Sequence, residues 1–121
     1  MISIEIKKEG KLLYSSDKSG LRPLVIGLDQ IKETDCDLFD KVIGLAAAKM
    51  IVDSKKIINI KTNLISEPAI KYLTDKLRFT YKEKCKNILN KDKTDICPME
   101  KAALELDDKK FIEHINKIFK P

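Results

Sequence analysis

At 121 residues, with 43% hydrophobic and 36% charged, the chain has the makeup of a globular protein and suits one domain spanning 1–121, which excludes disorder as its working state. No apolar run approaches the ~20 residues that span a bilayer, and the alternating start Ile2-Ser3-Ile4-Glu5 lacks a signal-peptide layout, so a cytoplasmic protein with no membrane partner is expected. The net charge of +5 comes from scattered lysines with only 6% aromatics, whereas nucleic-acid surfaces combine a basic stripe with stacking rings, and this argues against a nucleic-acid partner.

Residues 2–6 alternate, with Ile2, Ile4 and Ile6 against Ser3 and Glu5, the period of a half-buried strand. Gly10 can supply a turn, and residues 12–15 resume a strand, so the chain opens on a β-hairpin. A polar loop leads to a helix over 21–31 on Leu21, Leu24, Val25, Leu28 and Ile31. Pro23 sits in its first turn, Ser19 or Asp17 could cap it, and Gly27 weakens it. A second, largely buried helix is expected over 39–53, capped by Asp37 or Asp40.

The β-branched run 57–65 reads as a central strand. Ser66 and Pro68 then start a helix whose inner face is Ile70, Tyr72, Leu73 and Leu77. Residues 79–85 alternate as a strand. A polar loop follows, and Pro98 starts a helix with Cys97 near its N-cap. Asp107-Asp108 caps a last helix with Phe111, Ile112, Ile115, Ile118 and Phe119 on one face. Strands alternating with helices imply an α/β fold with a mixed, mostly parallel sheet.

Ligands of open α/β sheets bind beyond the carboxyl ends of the strands. Four stretches should reach that edge: 16–22, 37–41, 66–67 and 92–100. Gly20, Lys41, Ser66, Glu67, Asp92, Thr94 and Asp95 are the ligand-binding candidates, suited to an anionic or carbonyl-bearing molecule at helix N-termini. Cys97, Glu100 and Asp40 are the catalytic candidates. A thiol at a helix N-terminus is favoured as thiolate, and Glu100 lies one turn on. Simpler roles stand beside these: Asp37, Asp40 and Ser66 as helix caps, Glu67 as a partner of the dipole, and Glu100 as a capping-box acid. The three cysteines are widely spaced without a CxxC pair, so reduced thiols are expected, with Cys36 and Cys85 as packing residues and His114 on the surface.

The runs Asp40-Lys41-Val42-Ile43-Gly44-Leu45-Ala46-Ala47-Ala48, Ile65-Ser66-Glu67-Pro68-Ala69 and 89–101, which includes Cys97-Pro98-Met99-Glu100, resemble a small uncharacterised prokaryotic family of the cytidine deaminase-like superfamily. The resemblance implies a three-layer α/β/α sandwich with a five-stranded mixed sheet, the additional strand falling near 86–90. Zinc deaminases of that superfamily carry H/C-x-E on one helix and P-C-x-x-C on the next, with the Glu shuttling protons around a zinc-bound water. Here Cys97 and Glu100 keep the C-x-x-C spacing with a carboxylate as second group, and the first helix offers Asp40 but no His or Cys in an H-x-E pattern. The zinc motif is therefore degenerate, and neither metal nor cofactor is expected. The Asp-Lys-Val-Ile-Gly run also resembles the formate dehydrogenase accessory sulfurtransferases of the same superfamily.

The leading expectation is a small-molecule-binding protein on this scaffold. The alternatives are an enzyme using Cys97 as nucleophile or sulfur carrier, with Asp40, Asp95 or Glu100 as proton partner, and a divergent metal-dependent hydrolase or deaminase with Asp40, Cys97 and Glu100 as ligands. The partner is an unidentified small molecule; the terminal helix 111–119 could serve a homodimer, but a place in the core is the favoured reading.

Overall fold

A computed structural model describes residues 2–90 and 92–119 of the chain. The elements run β1 (Ile4–Lys8), β2 (Lys11–Ser16), α1 (Arg22–Gln30), β3 (Cys36–Ile43), α2 (Leu45–Ser54), β4 (Ile57–Ser66), α3 (Glu67–Leu73), β5 (Arg78–Cys85), α4 (Pro98–Glu105) and α5 (Asp108–Phe119). The five strands form one mixed sheet in the order β2-β1-β3-β4-β5. β1 pairs antiparallel with β2 and β3, while β3, β4 and β5 run parallel.

The opening hairpin forms as expected. Glu9 and Gly10 both take positive φ at its tip (51° and 83°), the left-handed turn that matches strand twist. α1 packs through Leu24, Val25 and Leu28. Gly27 is there for a neighbour: a Cβ would stand 2.6 Å from the Tyr14 ring, whose hydroxyl donates to the Pro23 carbonyl at 2.8 Å. Neither Ser19 nor Asp17 caps this helix; its N-cap is Leu21, with no side-chain bond.

The expected long helix over 39–53 is two elements. Residues 36–43 form β3, Gly44 turns the chain, and the helix begins at Leu45. Asp37 and Asp40 therefore lie in a strand and cap nothing. The reason is the one-residue connection: an alternating run, Cys36 and Leu38 buried against exposed Asp37, passes into an Ala-rich helix without a polar break. β3 is the additional strand, and it stands at the centre of the sheet. Near residues 86–90, where the additional strand was expected, there is only an isolated bridge between Leu89 and Ile96.

The layering also departs from the α/β/α expectation. α1, α2 and α3 pack on the sheet, and α1, α3, α4 and α5 all touch α2. All described helices thus lie on one side, with α4 and α5 against the inner helices. The facing side of the sheet supplies Ile4, Ile6, Leu38 and Ile60 to the core. The opposite side is polar across the register row Ser15, Glu5, Phe39, Lys61 and Thr80, in which only Phe39 is apolar. A strand with one wet face needs only the alternation that β1 shows.

Two charges tie α2 to α4. The carboxylate of Glu100 accepts N–H bonds from Leu45 at 2.8 Å and Ala46 at 3.1 Å, at the start of α2. The ammonium of buried Lys49, one turn further along α2, donates to the carbonyls of Ala103 at 2.7 Å and Leu106 at 3.0 Å, at the end of α4, and pairs with Asp108 at 3.2 Å. Each helix thereby supplies the charge that suits the other's dipole. Phe111 and Ile115 of α5 close over this junction, both fully buried.

Candidate functional site

Beyond the carboxyl end of β3 lies a cavity of about 430 Å³. Its floor is the end of β3 and the first turn of α2. One wall is the loop 18–21 with the start of β1, and the other is residues 88–90 with the start of α4. Ile4, Leu21, Ala46, Ala47, Leu89 and Met99 make most of the surface apolar. Val42 and Leu89 are more than 40% exposed, so the mouth is apolar as well.

Asp40 is carried into this space by strand geometry. It stands in register with Ile4 of β1 and Thr62 of β4, on the side that faces the helices. Its carboxylate accepts a long bond from the Val42 N–H at 3.4 Å. None of the ion pairs among the described residues involves it. Burial without a counter-charge pushes its pKa up from 3.8 to about 7, the backbone N–H groups of Val42 and Lys41 opposing the rise.

Glu100 is the second acid of the cavity and is in a different state. Burial raises its pKa, while the two α2 N–H groups oppose the rise. Both carboxylate oxygens are occupied. Gly44 allows this approach, since a Cβ there would stand 2.6 Å from the Glu100 carboxyl carbon. The expected capping box with the Cys97 backbone does not form: the Cys97 N–H donates to Ile88 at 3.0 Å, and Glu100 reaches across to another helix. Two of the α2 N–H groups that would draw an anion, those of Leu45 and Ala46, are thus already bonded.

The candidate residues divide cleanly. Gly20, Asp40, Lys41, Cys97 and Glu100 line the cavity. Ser66, Glu67, Asp92, Thr94 and Asp95 do not. Ser66 caps α3, accepting from Ala69 at 3.3 Å, and Glu67 is exposed in that helix's first turn. Thr94 is tied to Asn90 through its backbone N–H and hydroxyl, Asp95 pairs with Lys101, and Asp92 is exposed. Ser3, Lys18 and Asn90 line the cavity without having been singled out. Ser3 is buried and its single hydroxyl proton is shared between the carbonyls of Ser16 and Lys18, bringing the loop 18–21 against β1. A serine at the edge of an alternating strand carries no sequence signal for that contact, whereas Gly44 between a strand and a helix does.

Cys97 is half-buried on the cavity wall as the N-cap of α4, with no side-chain capping bond. Cys36 is fully buried, and its thiol is pushed up by that burial. Burial also raises Cys85, with Glu100 and Glu67 adding to the effect. Among the described residues, no three His, Cys, Asp or Glu side chains are grouped to hold a metal ion.

The family model that matches residues 2–119 is described as a domain of unknown function, DUF1893 (TM1506). The chain belongs to the DUF1893 family. A crystal structure of the DUF1893 family protein TM1506 from Thermotoga maritima matches it with a TM-score of 0.88 and 30% identity, over 98% of this chain and 81% of that one. No curated protein matches the chain. No described helix of this DUF1893 chain is long and apolar enough to cross a membrane.

Two outcomes follow from the acids. Replacing Glu100 with Ala leaves two buried N–H groups without partners and should cost about 3 kcal/mol in urea denaturation, with Glu100→Gln costing less because one acceptor remains. For Asp40 the folded pKa of about 7 lies above the unfolded value near 3.8, so the folded state holds the extra proton between them. Stability is lost as pH rises through that window. Asp40→Asn should therefore match the native protein near pH 4 and exceed it above pH 7, by roughly 2–4 kcal/mol.

Proposed function

We propose that this chain binds a small organic molecule in the cavity at the end of β3, on a cytidine deaminase-like scaffold whose zinc motif is degenerate. The observation that carries the reading is the combination of a cavity of about 430 Å³ with apolar walls and a carboxyl group, Asp40, held inside it without a cationic partner. Small-molecule sites are concave and mostly apolar, with a few polar groups that fix orientation. The five-stranded mixed sheet and the place of the cavity, beyond the carboxyl ends of the parallel strands, support the scaffold assignment, while the one-sided layering of the helices counts against it. Hydrolysis at a metal held by Asp40, Cys97 and Glu100 is the weaker reading, because both Glu100 oxygens are spent on α2.

A thiol enzyme is the second reading, favoured by the position of Cys97 on the cavity wall. It requires that Cys97 be alkylated faster than Cys85 and Cys36; equal rates at the three thiols would remove it.

The binding reading is tested by native mass spectrometry of protein purified without chelator, beside a Val42→Trp variant. Val42 is 41% exposed at the mouth, so an indole there blocks entry with little effect on folding. The expected result is a retained organic mass on the native chain and none on the variant, at unchanged melting temperature. Identical retained masses on both would place the ligand elsewhere and overturn the reading.

A further inference from the structure

Five titratable side chains line the cavity: Lys18, Asp40, Lys41, Cys97 and Glu100. Their situations differ. The charge of Glu100 is met by the α2 N–H groups. Lys18 is exposed and Lys41 half-buried, and neither ion-pairs with Asp40. Cys97 closes the α4 side. Asp40 alone presents an unpaired acid to the cavity, and the bond it accepts from the Val42 N–H of its own strand is long, at 3.4 Å. Asp40 is half-buried, and a carboxylate partly withdrawn from water is costly until a positive donor meets it. The positive group that would meet it is not supplied by either lysine of the cavity, since neither pairs with Asp40.

We propose that the ligand supplies it: the cavity takes a molecule with an apolar body and one protonated nitrogen, an amine or amidinium, anchored on the Asp40 carboxylate. This rests on the reading that the cavity binds a small molecule, and it narrows that reading to a charge class. An amidinium suits the site because its two N–H groups can meet both carboxylate oxygens side by side. The apolar body would lie against Leu21, Ala46, Ala47 and Leu89. An anion at the start of α2 would have to displace Glu100 first.

The proposal carries a proton signature. A cation binds the ionised form of Asp40, and the free carboxyl titrates at about 7. Affinity should therefore rise as the pH rises through that value, by about tenfold between roughly pH 6 and pH 8, with proton release on binding near pH 6.

The test uses benzamidine and its neutral isostere benzamide, titrated into the full chain and followed by NMR shifts of the Leu21, Ala46, Ala47 and Leu89 amides. The expected result is that benzamidine binds at least tenfold more tightly than benzamide, that its affinity follows the pH profile above, and that Asp40→Asn abolishes both effects. Should the variant fail to fold, the native protein's pH profile still decides. Benzamide binding as tightly as benzamidine, or benzamidine binding without pH dependence, overturns the charge class and leaves cavity binding intact. No shift with either compound also overturns the proposal, and the broader reading then stands or falls on the retained mass and its loss in Val42→Trp.

Discussion

The carboxylate of Glu100 on the first turn of α2 is the contact on which this architecture turns. A helix N-terminus buried under a second layer leaves N–H groups that water cannot reach. Glu100 meets two of them from another helix, and Gly44 leaves the room for it to do so. Lys49 returns the favour at the far end of α4. A charge-assisted bond contributes about 1.5–3 kcal/mol, comparable with the cost of leaving either group unpaired. The two helices are thus held in one register by charges that would each be unfavourable alone. α5 then seals the junction with Phe111 and Ile115.

That clasp has a consequence for chemistry. It fixes the start of α4 beside the end of β3, so residues 88–90 and Cys97 come to face the loop 18–21 across a gap. The gap persists because β3 ends in an abrupt turn at Gly44 and because Ser3 holds the loop 18–21 against β1. Asp40 is left on the inner side of β3, between Ile4 and Thr62 and without an ion pair. Two acids of one cavity thereby diverge: one is consumed in holding helices together, and the other makes no ion pair.

Much of the fold was legible in the sequence for a simple reason: local periodicity matched local structure. The hairpin, α1, β4, β5 and the two terminal helices follow from alternation, caps and helical spacing. β3 was hidden because its apolar residues run into those of α2 with one glycine between, and two periods joined end to end resemble one long buried helix. The one-sided layering was hidden because it depends on where α4 and α5 go after β5, a tertiary matter. Asp40, Cys97 and Glu100, singled out because acids and a thiol near element ends carry a signal, do line one cavity. Ser66 turned out to cap its own helix, the plainer of its two readings. Asp92, Thr94 and Asp95 belong to a loop that bonds to itself and to Lys101, and its length in sequence says nothing of which way it faces. The partner of Glu100 could not be read, because it lies 55 residues away.

The central claim is that Asp40 stands in a cavity dry enough to suppress its ionisation in the free protein. The most direct measurement is an NMR titration of the Asp40 side-chain carboxyl carbon in the unliganded chain. The account predicts a midpoint of about 7. A midpoint near the ordinary value of 3.8 would mean that water or a cation already reaches the group, and would contradict it.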